Sequence, residues 1–194
     1  MPWGTHFCLF YETKQDLLDT LAPFFKAGLD SNEFCLWVIS KNELVTEDDA
    51  WSALRAAIPN LDQHVAAGRI EVLSHEEWLL QGGEFDPHRV IAVLNDKLKQ
   101  ALAKNFAGMK LNGNSAWLKE NWKDFFTFET AVDDAIANKP VIALCNFPLA
   151  TSGATEILAA ARTHRFTVAR RNGVSDIIES ADKSEPACRS RRML

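Results

Sequence analysis

Glycine is sparse where a nucleotide-binding protein would need it. Neither GxxxxGK[ST] nor GxGxxG occurs anywhere in the 194 residues. Such loops use small residues so that successive backbone N–H groups can surround phosphate, with a Lys to reach its charge. The first turn reads Tyr11-Glu12-Thr13-Lys14-Gln15-Asp16 instead, an aromatic and two carboxylates that would repel a triphosphate. Gly82-Gly83 precedes "EFDPHR" and reads as a loop. Classical ATP hydrolysis is therefore not expected. No apolar run approaches the roughly 18 residues of a membrane span, and no basic-then-apolar leader opens the chain, so a cytoplasmic protein without membrane contact is expected. With four cysteines, no CxxC and no Cys/His pair at zinc spacing, the sequence predicts no metal and no cofactor. A net charge of −5 gives no general attraction to nucleic acid, and no direct nucleic-acid binding is expected.

What is present is an alternation. Short apolar runs at Phe7–Tyr11, Phe34–Ile39, Ile70–Leu73, Met109–Leu111, Val141–Cys145 and Phe166–Arg170 read as strands, several of them continuous enough to be covered on both faces. Between them, helical spacing runs over Lys14–Ala27 with Gly28 as its stop, Glu47–Ala57, Pro87–Asn105, Asp124–Asn138 and Ser152–His164. This predicts an α/β three-layer sandwich with a mostly parallel central sheet. The domain spans residues 1–178, and 179–194 read as a flexible polar tail that holds Cys188 and three arginines. Right-handed crossovers gather the carboxyl ends of parallel strands on one edge, where ligands bind. Tyr11, Glu12, Ser40, Ser74, His75, Asn112, Asn114, Cys145, Asn146 and Phe147 are expected there.

The stretches "HFCLFYET…LAPFFKAGLDSNEFCLWVIS", "GRIEVLSHEEWLLQGGEFDPHRVI", "GMKLNGNSAWL", "FFTFETAVDDAI" and "ALCNFPL", in this order, resemble the sensory domain family named for methanogens, methylotrophs and the dichloromethane regulator, MEDS. The likeness runs from about His6 to Gly173. It implies a RecA/KaiC-like fold with a degenerate P-loop. It also implies a ligand-sensing role in signal transduction or transcriptional regulation, with a hydrocarbon derivative as ligand. The family's first-strand histidine falls on His6, its nearby aromatic on Tyr11, its aromatic-Glu pair on Phe128-Glu129, its Cys-x-Tyr-Asp strand end on Cys145-Asn146-Phe147-Pro148, and its late histidine on His164. Phe128 and Phe147 stand where tyrosine is common, Pro148 replaces an aspartate, and Lys110 an arginine. These departures make the pocket more apolar. No helix-turn-helix precedes the domain, so a signalling partner is expected to relay the signal.

The expected ligand-binding set is His6, Tyr11, Glu12, Asn112, Trp117, Glu129, Cys145 and Phe147. His6 is a ligand contact, a general base, or a histidine bonded to a backbone carbonyl. Glu129 sits in an apolar helix stretch, where an ionised carboxylate must be paired; it orients His6, polarises a ligand, or caps a buried cation. Cys145 is a sensor thiol or an inert one. His164 reads as a favourable contact with a helix dipole. Trp117 and Trp122 flank the predicted pocket rim, walling a cavity or simply packing. Three functions remain open: a non-enzymatic sensor, a scaffold derived from an inactivated ATPase, and an enzyme using Glu129 with His6 or Cys145.

Overall fold

The computed structural model describes residues 1–40, 44–78, 85–113, 122–171 and 173–180, with the backbone alone at 122–126. Seven strands form one sheet: β1 (Thr5–Tyr11), β2 (Phe34–Ile39), β3 (Ile70–Ser74), β4 (Met109–Gly113), β5 (Val141–Pro148), β6 (Phe166–Arg171) and β7 (Val174–Glu179), in the order β3-β2-β4-β5-β1-β6-β7. The pairs from β3 through β6 are parallel; only β7 runs antiparallel, as a hairpin onto β6. The helices are α1 (Lys14–Asp30), α2 (Glu47–Ala57), α3 (Leu61–Ala66), the short α4 (His75–Trp78), α5 (Pro87–Ala103), α6 (Trp122–Ile136) and α7 (Ala154–Thr163). No helix among the described residues is long and apolar enough to cross a membrane.

Two apolar cores lie on the two faces of the sheet. Phe7, Leu9 and Tyr11 of β1 pack with Leu21 and Phe25 of α1 and Leu54 of α2. Cys8 and Phe10 face the other way, into a core with Leu94 of α5, Val132 of α6 and Ala160 of α7. Successive strand side chains point to opposite faces, so β1 contributes to both cores. That parity also decides which polar residues can meet.

Two local features depart from the sequence-level expectation. Helix α1 does not stop at Gly28 but runs on to Asp30, and the chain turns at Asn32 with φ 57°. Gly28 is a close-approach position instead: a Cβ there would lie 2.8 Å from Cys35 Sγ and 2.9 Å from Lys110 Cδ. Strand β7 lies at the end of the expected 1–178 domain, with only Glu179 in the expected tail, and no strand was expected there. The turn after β1 is closed by its own side chains. Thr13 Oγ1 accepts from the Asp16 N–H at 3.1 Å, and Asp16 Oδ2 accepts from the Thr13 N–H at 3.1 Å. This reciprocal cap satisfies N–H groups that a phosphate would otherwise need.

Candidate functional site

Four elements bring four donor side chains together on the α6/α7 face of the sheet. β1 carries His6, and its neighbour β5 carries Cys145, with Cα partners His6↔Ala143 and Cys8↔Cys145. α6 lays Glu129 over this pair and Asp133 one turn later. α7 ends just before His164. His6, Glu129 and His164 are at most 1% exposed. Glu129 Oε2 lies 3.4 Å from His6 Nε2 and 3.1 Å from His164 Nε2, and His6 Nε2 lies 3.3 Å from Cys145 Sγ. The two imidazole centroids are 4.1 Å apart. All four donor atoms fall within 4.8 Å of one another.

Each ring is held from its far side. His164 Nδ1 sits 2.7 Å from the Ala160 carbonyl oxygen, the contact with the end of α7 that helix-dipole reasoning anticipates. A carbonyl only accepts, so Nδ1 carries the hydrogen and Nε2 faces Glu129. His6 Nδ1 faces Asp133 Oδ1 at 3.5 Å. The Phe147 ring stands 6.1 Å from His164, edge-on. Burial, and next the neighbouring His164, hold the His6 pKa below its ordinary value. Burial, reinforced by Glu129, pushes the Cys145 thiol well above its usual range. With no added cation this is a poor nucleophile, because the thiolate is the reactive form.

The structure therefore gathers His6, Glu129, Cys145 and Phe147 and separates Tyr11, Glu12 and Asn112 from them. Tyr11 is fully buried in the opposite core, against α1. Asn112 also lies across the sheet, with its amide donating to the Leu144 carbonyl at 3.0 Å and to Asn146 Oδ1 at 3.0 Å. Glu12 is a surface residue that accepts from Arg171 Nε at 3.1 Å. Trp117, the Trp122 side chain and Asn114 lie outside the described residues. The dipole reading of His164 missed its approach to Glu129, and Asp133 was not singled out. The readable signal was Glu129 and Asp133 at i and i+4, which puts two carboxylates on one helix face.

A cavity of about 50 Å³ adjoins this cluster between the sheet and α5/α6. Its wall is apolar, including Val38, Trp78, Leu94, Leu111 and Phe128, and it contains Gly113 and Cys145. Cys145 is thus shared by the cavity and the polar cluster. The cavity opens beside the carboxyl ends of β2 and β4, the side on which α/β sheets bind ligands. A wider groove of about 290 Å³ lies over the ends of β2 and β3, with Ser40, Ser74 and His75 in its wall; it contains none of the four donors.

A comparison with curated proteins returns no match. Among solved structures, the chain is similar to a KaiC-like protein from the hyperthermophilic archaeon Pyrococcus horikoshii. The TM-score is 0.60 at 12% identity, and the match covers 94% of this chain and 82% of that one. At that identity the likeness shows the fold alone: a RecA-type sheet of the KaiC kind. The family model described as MEDS, the methanogen/methylotroph DcmR sensory domain, matches residues 5–165. With five of the seven strands, β1 through β5, and all the described helices inside that span, the chain belongs to the MEDS sensory domain family.

Proposed function

We propose that this chain is a non-enzymatic sensory domain that takes a small, partly apolar molecule into the cavity bounded by Gly113, Leu94, Phe128 and Cys145. The observation that carries this reading is the apolar cavity sharing one wall residue, Cys145, with a buried polar cluster. About 50 Å³ is room for several water-sized spheres, at roughly 10–15 Å³ each, which suits a ligand of a few heavy atoms. A hydrocarbon derivative with one polar or polarisable group would set its apolar end against Leu94 and Phe128. Its polar end would face the cluster.

The lost phosphate loop supports the same reading. Thr13 and Asp16 already occupy the N–H groups at the head of α1, and the Asp16 carboxylate there opposes an anion. The frame is that of an ATPase whose P-loop has degenerated. Sensing requires that the molecule bind two conformations unequally, since equal binding shifts nothing. α5 and α6 cover the cavity, so their position is the natural output, passed on to a signalling or transcription partner. The elevated Cys145 thiol argues against an enzyme that uses it as nucleophile.

The test is a thermal-shift screen with MgATP, short organic acids, short alcohols and one- or two-carbon halocarbons. A bound molecule raises the melting temperature by mass action. An alcohol or halocarbon is expected to raise it in a saturable way, and MgATP to leave it unchanged. A large, saturable shift with MgATP alone would overturn this function.

A further inference from the structure

We propose that His6, Glu129, Cys145 and His164 form a four-coordinate site for a divalent transition-metal ion of the zinc class. The spacing of the donors is the first argument. Tetrahedral zinc with Zn–N and Zn–O bonds of about 2.0–2.1 Å and Zn–S of about 2.3 Å sets its donors about 3.3 Å apart for N/O pairs and about 3.6 Å for N/S pairs. The observed separations are 3.4 Å for His6 Nε2 to Glu129 Oε2, 3.1 Å for His164 Nε2 to Glu129 Oε2, and 3.3 Å for His6 Nε2 to Cys145 Sγ. Three edges of the tetrahedron are already near their metal-bound length.

Orientation is the second argument. Histidine ligands are typically held by a partner on the other ring nitrogen, which fixes the tautomer and aims the free lone pair. His164 Nδ1 has the Ala160 carbonyl at 2.7 Å, and His6 Nδ1 has the Asp133 carboxylate at 3.5 Å. Both Nε2 atoms thus point inward. In the neutral ring, His164 Nε2 is an acceptor, and it meets a carboxylate oxygen at 3.1 Å. Two acceptors at that distance call for positive charge between them. Both rings are buried, with their centroids 4.1 Å apart, so the two inward nitrogens share one small enclosed space.

Charge is the third argument. The Glu129 carboxylate and a Cys145 thiolate carry two negative charges, which one divalent cation neutralises in a buried place. The Cys145 S–H bond would release its proton to solvent as the S–metal bond forms. Two imidazoles, a thiolate and a carboxylate are donors that suit zinc or cobalt(II) rather than magnesium or calcium. Four protein ligands leave no open coordination position, the pattern of a structural site and not a hydrolytic one. The ligands come from β1, α6, β5 and the end of α7, so no short sequence spacing could announce them.

This assignment does not depend on the sensory reading: the site would hold its ion whether or not the neighbouring cavity takes a ligand. The test is cobalt(II) titration of chelator-stripped, reduced full-length protein, with metal analysis of the protein as purified. We expect one equivalent bound, a near-ultraviolet thiolate-to-cobalt band, and the intense visible absorption of tetrahedral cobalt, displaced by zinc. Cys145→Ser should abolish the thiolate band, and His164→Gln should weaken binding tenfold or more. Cys188→Ser should change neither. If the variants fail to fold, X-ray absorption of the cobalt-loaded wild type should show two imidazole nitrogens, one oxygen and one sulfur. A folded apo-protein that gives no thiolate band with equimolar cobalt would overturn the proposal. So would a band lost with Cys188 instead of Cys145, or a metal shell without sulfur.

Discussion

Gly113 offers a direct way to fill the cavity without disturbing the sheet. It ends β4, pairs with Cys145 in register, and an added Cβ would meet no atom of the described residues within 4 Å. Its backbone lies outside the left-handed region, so alanine is unstrained there. Gly113→Ala should stabilise the protein by about 0.4–1 kcal/mol through the unfolded state alone. Cavity filling adds a smaller gain, with a ceiling near 1.2 kcal/mol if the whole ≈ 50 Å³ void were closed at about 24 cal/mol per Å³. For a chain of 194 residues, a gain near 1 kcal/mol raises the melting temperature by about 2–4 °C. A ligand at one hundred times its Kd would give wild type about 2.7 kcal/mol. The order of stability should therefore reverse: the variant melts higher alone, and wild type melts higher with the alcohol or halocarbon that shifts it. Calorimetry of both proteins, with and without that compound, reads the reversal. An undiminished ligand shift in a stabilised Gly113→Ala protein, and again in Gly113→Val, would place binding elsewhere and refute the cavity assignment.

Lys110 and Glu33 form a second buried pair, with Nζ 3.6 Å from Oε2 and the ammonium also donating to the Phe24 carbonyl at 3.2 Å. Burial, only partly offset by Lys110, raises the Glu33 pKa. The native state thus holds this proton to higher pH than the unfolded chain, and stability falls as pH rises from about 4.5 through the native pKa. Lys110→Met removes the counter-charge and should cost about 2–3 kcal/mol at pH 8, below the ~3–5 of a fully buried pair, and clearly less near pH 5; urea melts at both values check it, and an equal loss at both would show that Glu33 charge is not the cause. Gly28→Ala sets two effects against each other: about 1 kcal/mol of helix propensity gained and a Cβ forced to 2.8 Å from Cys35 Sγ. Overpacking costs about 1–3 kcal/mol, so net destabilisation of up to about 2 kcal/mol is expected in denaturant melts, and a stabilised variant would show that Cys35 and Lys110 give way freely.

The strands and helices were legible because apolar runs and helical stripes have different periods, and the frame followed from their alternation. β2 and α2 come out at their expected bounds, Phe34–Ile39 and Glu47–Ala57. β7 was missed for a physical reason: all six of its residues are exposed, including Val174, Ile177 and Ile178, so no buried-face pattern marks it. Gly28 misled because glycine ends helices when φ must be positive, whereas here it yields space to Cys35 and Lys110.

The grouping of polar residues shows where sequence reasoning stops and where it was not pushed far enough. The family resemblance put His6, at the head of β1, and Tyr11, at its end, in one ligand-binding set. Their separation of five is odd, and in a strand an odd separation sends side chains to opposite faces. Tyr11 could have been set aside on parity alone. Asn112 is different. Excluding it requires the β4–β5 register that sets Gly113 beside Cys145, and register is fixed by packing between strands far apart in the chain. The meeting of His6, Glu129, Cys145 and His164 is of the same kind. Residues 6, 129, 145 and 164 converge only because β5 inserts next to β1 while α6 and α7 cover that face. A donor set dispersed in this way is invisible to spacing motifs, which detect ligands supplied by a single turn or hairpin. What the sequence could offer was the cost of each member alone: a carboxylate in an apolar helix stretch and two histidines at the ends of apolar segments each demand a partner. The fold answers those demands with one another.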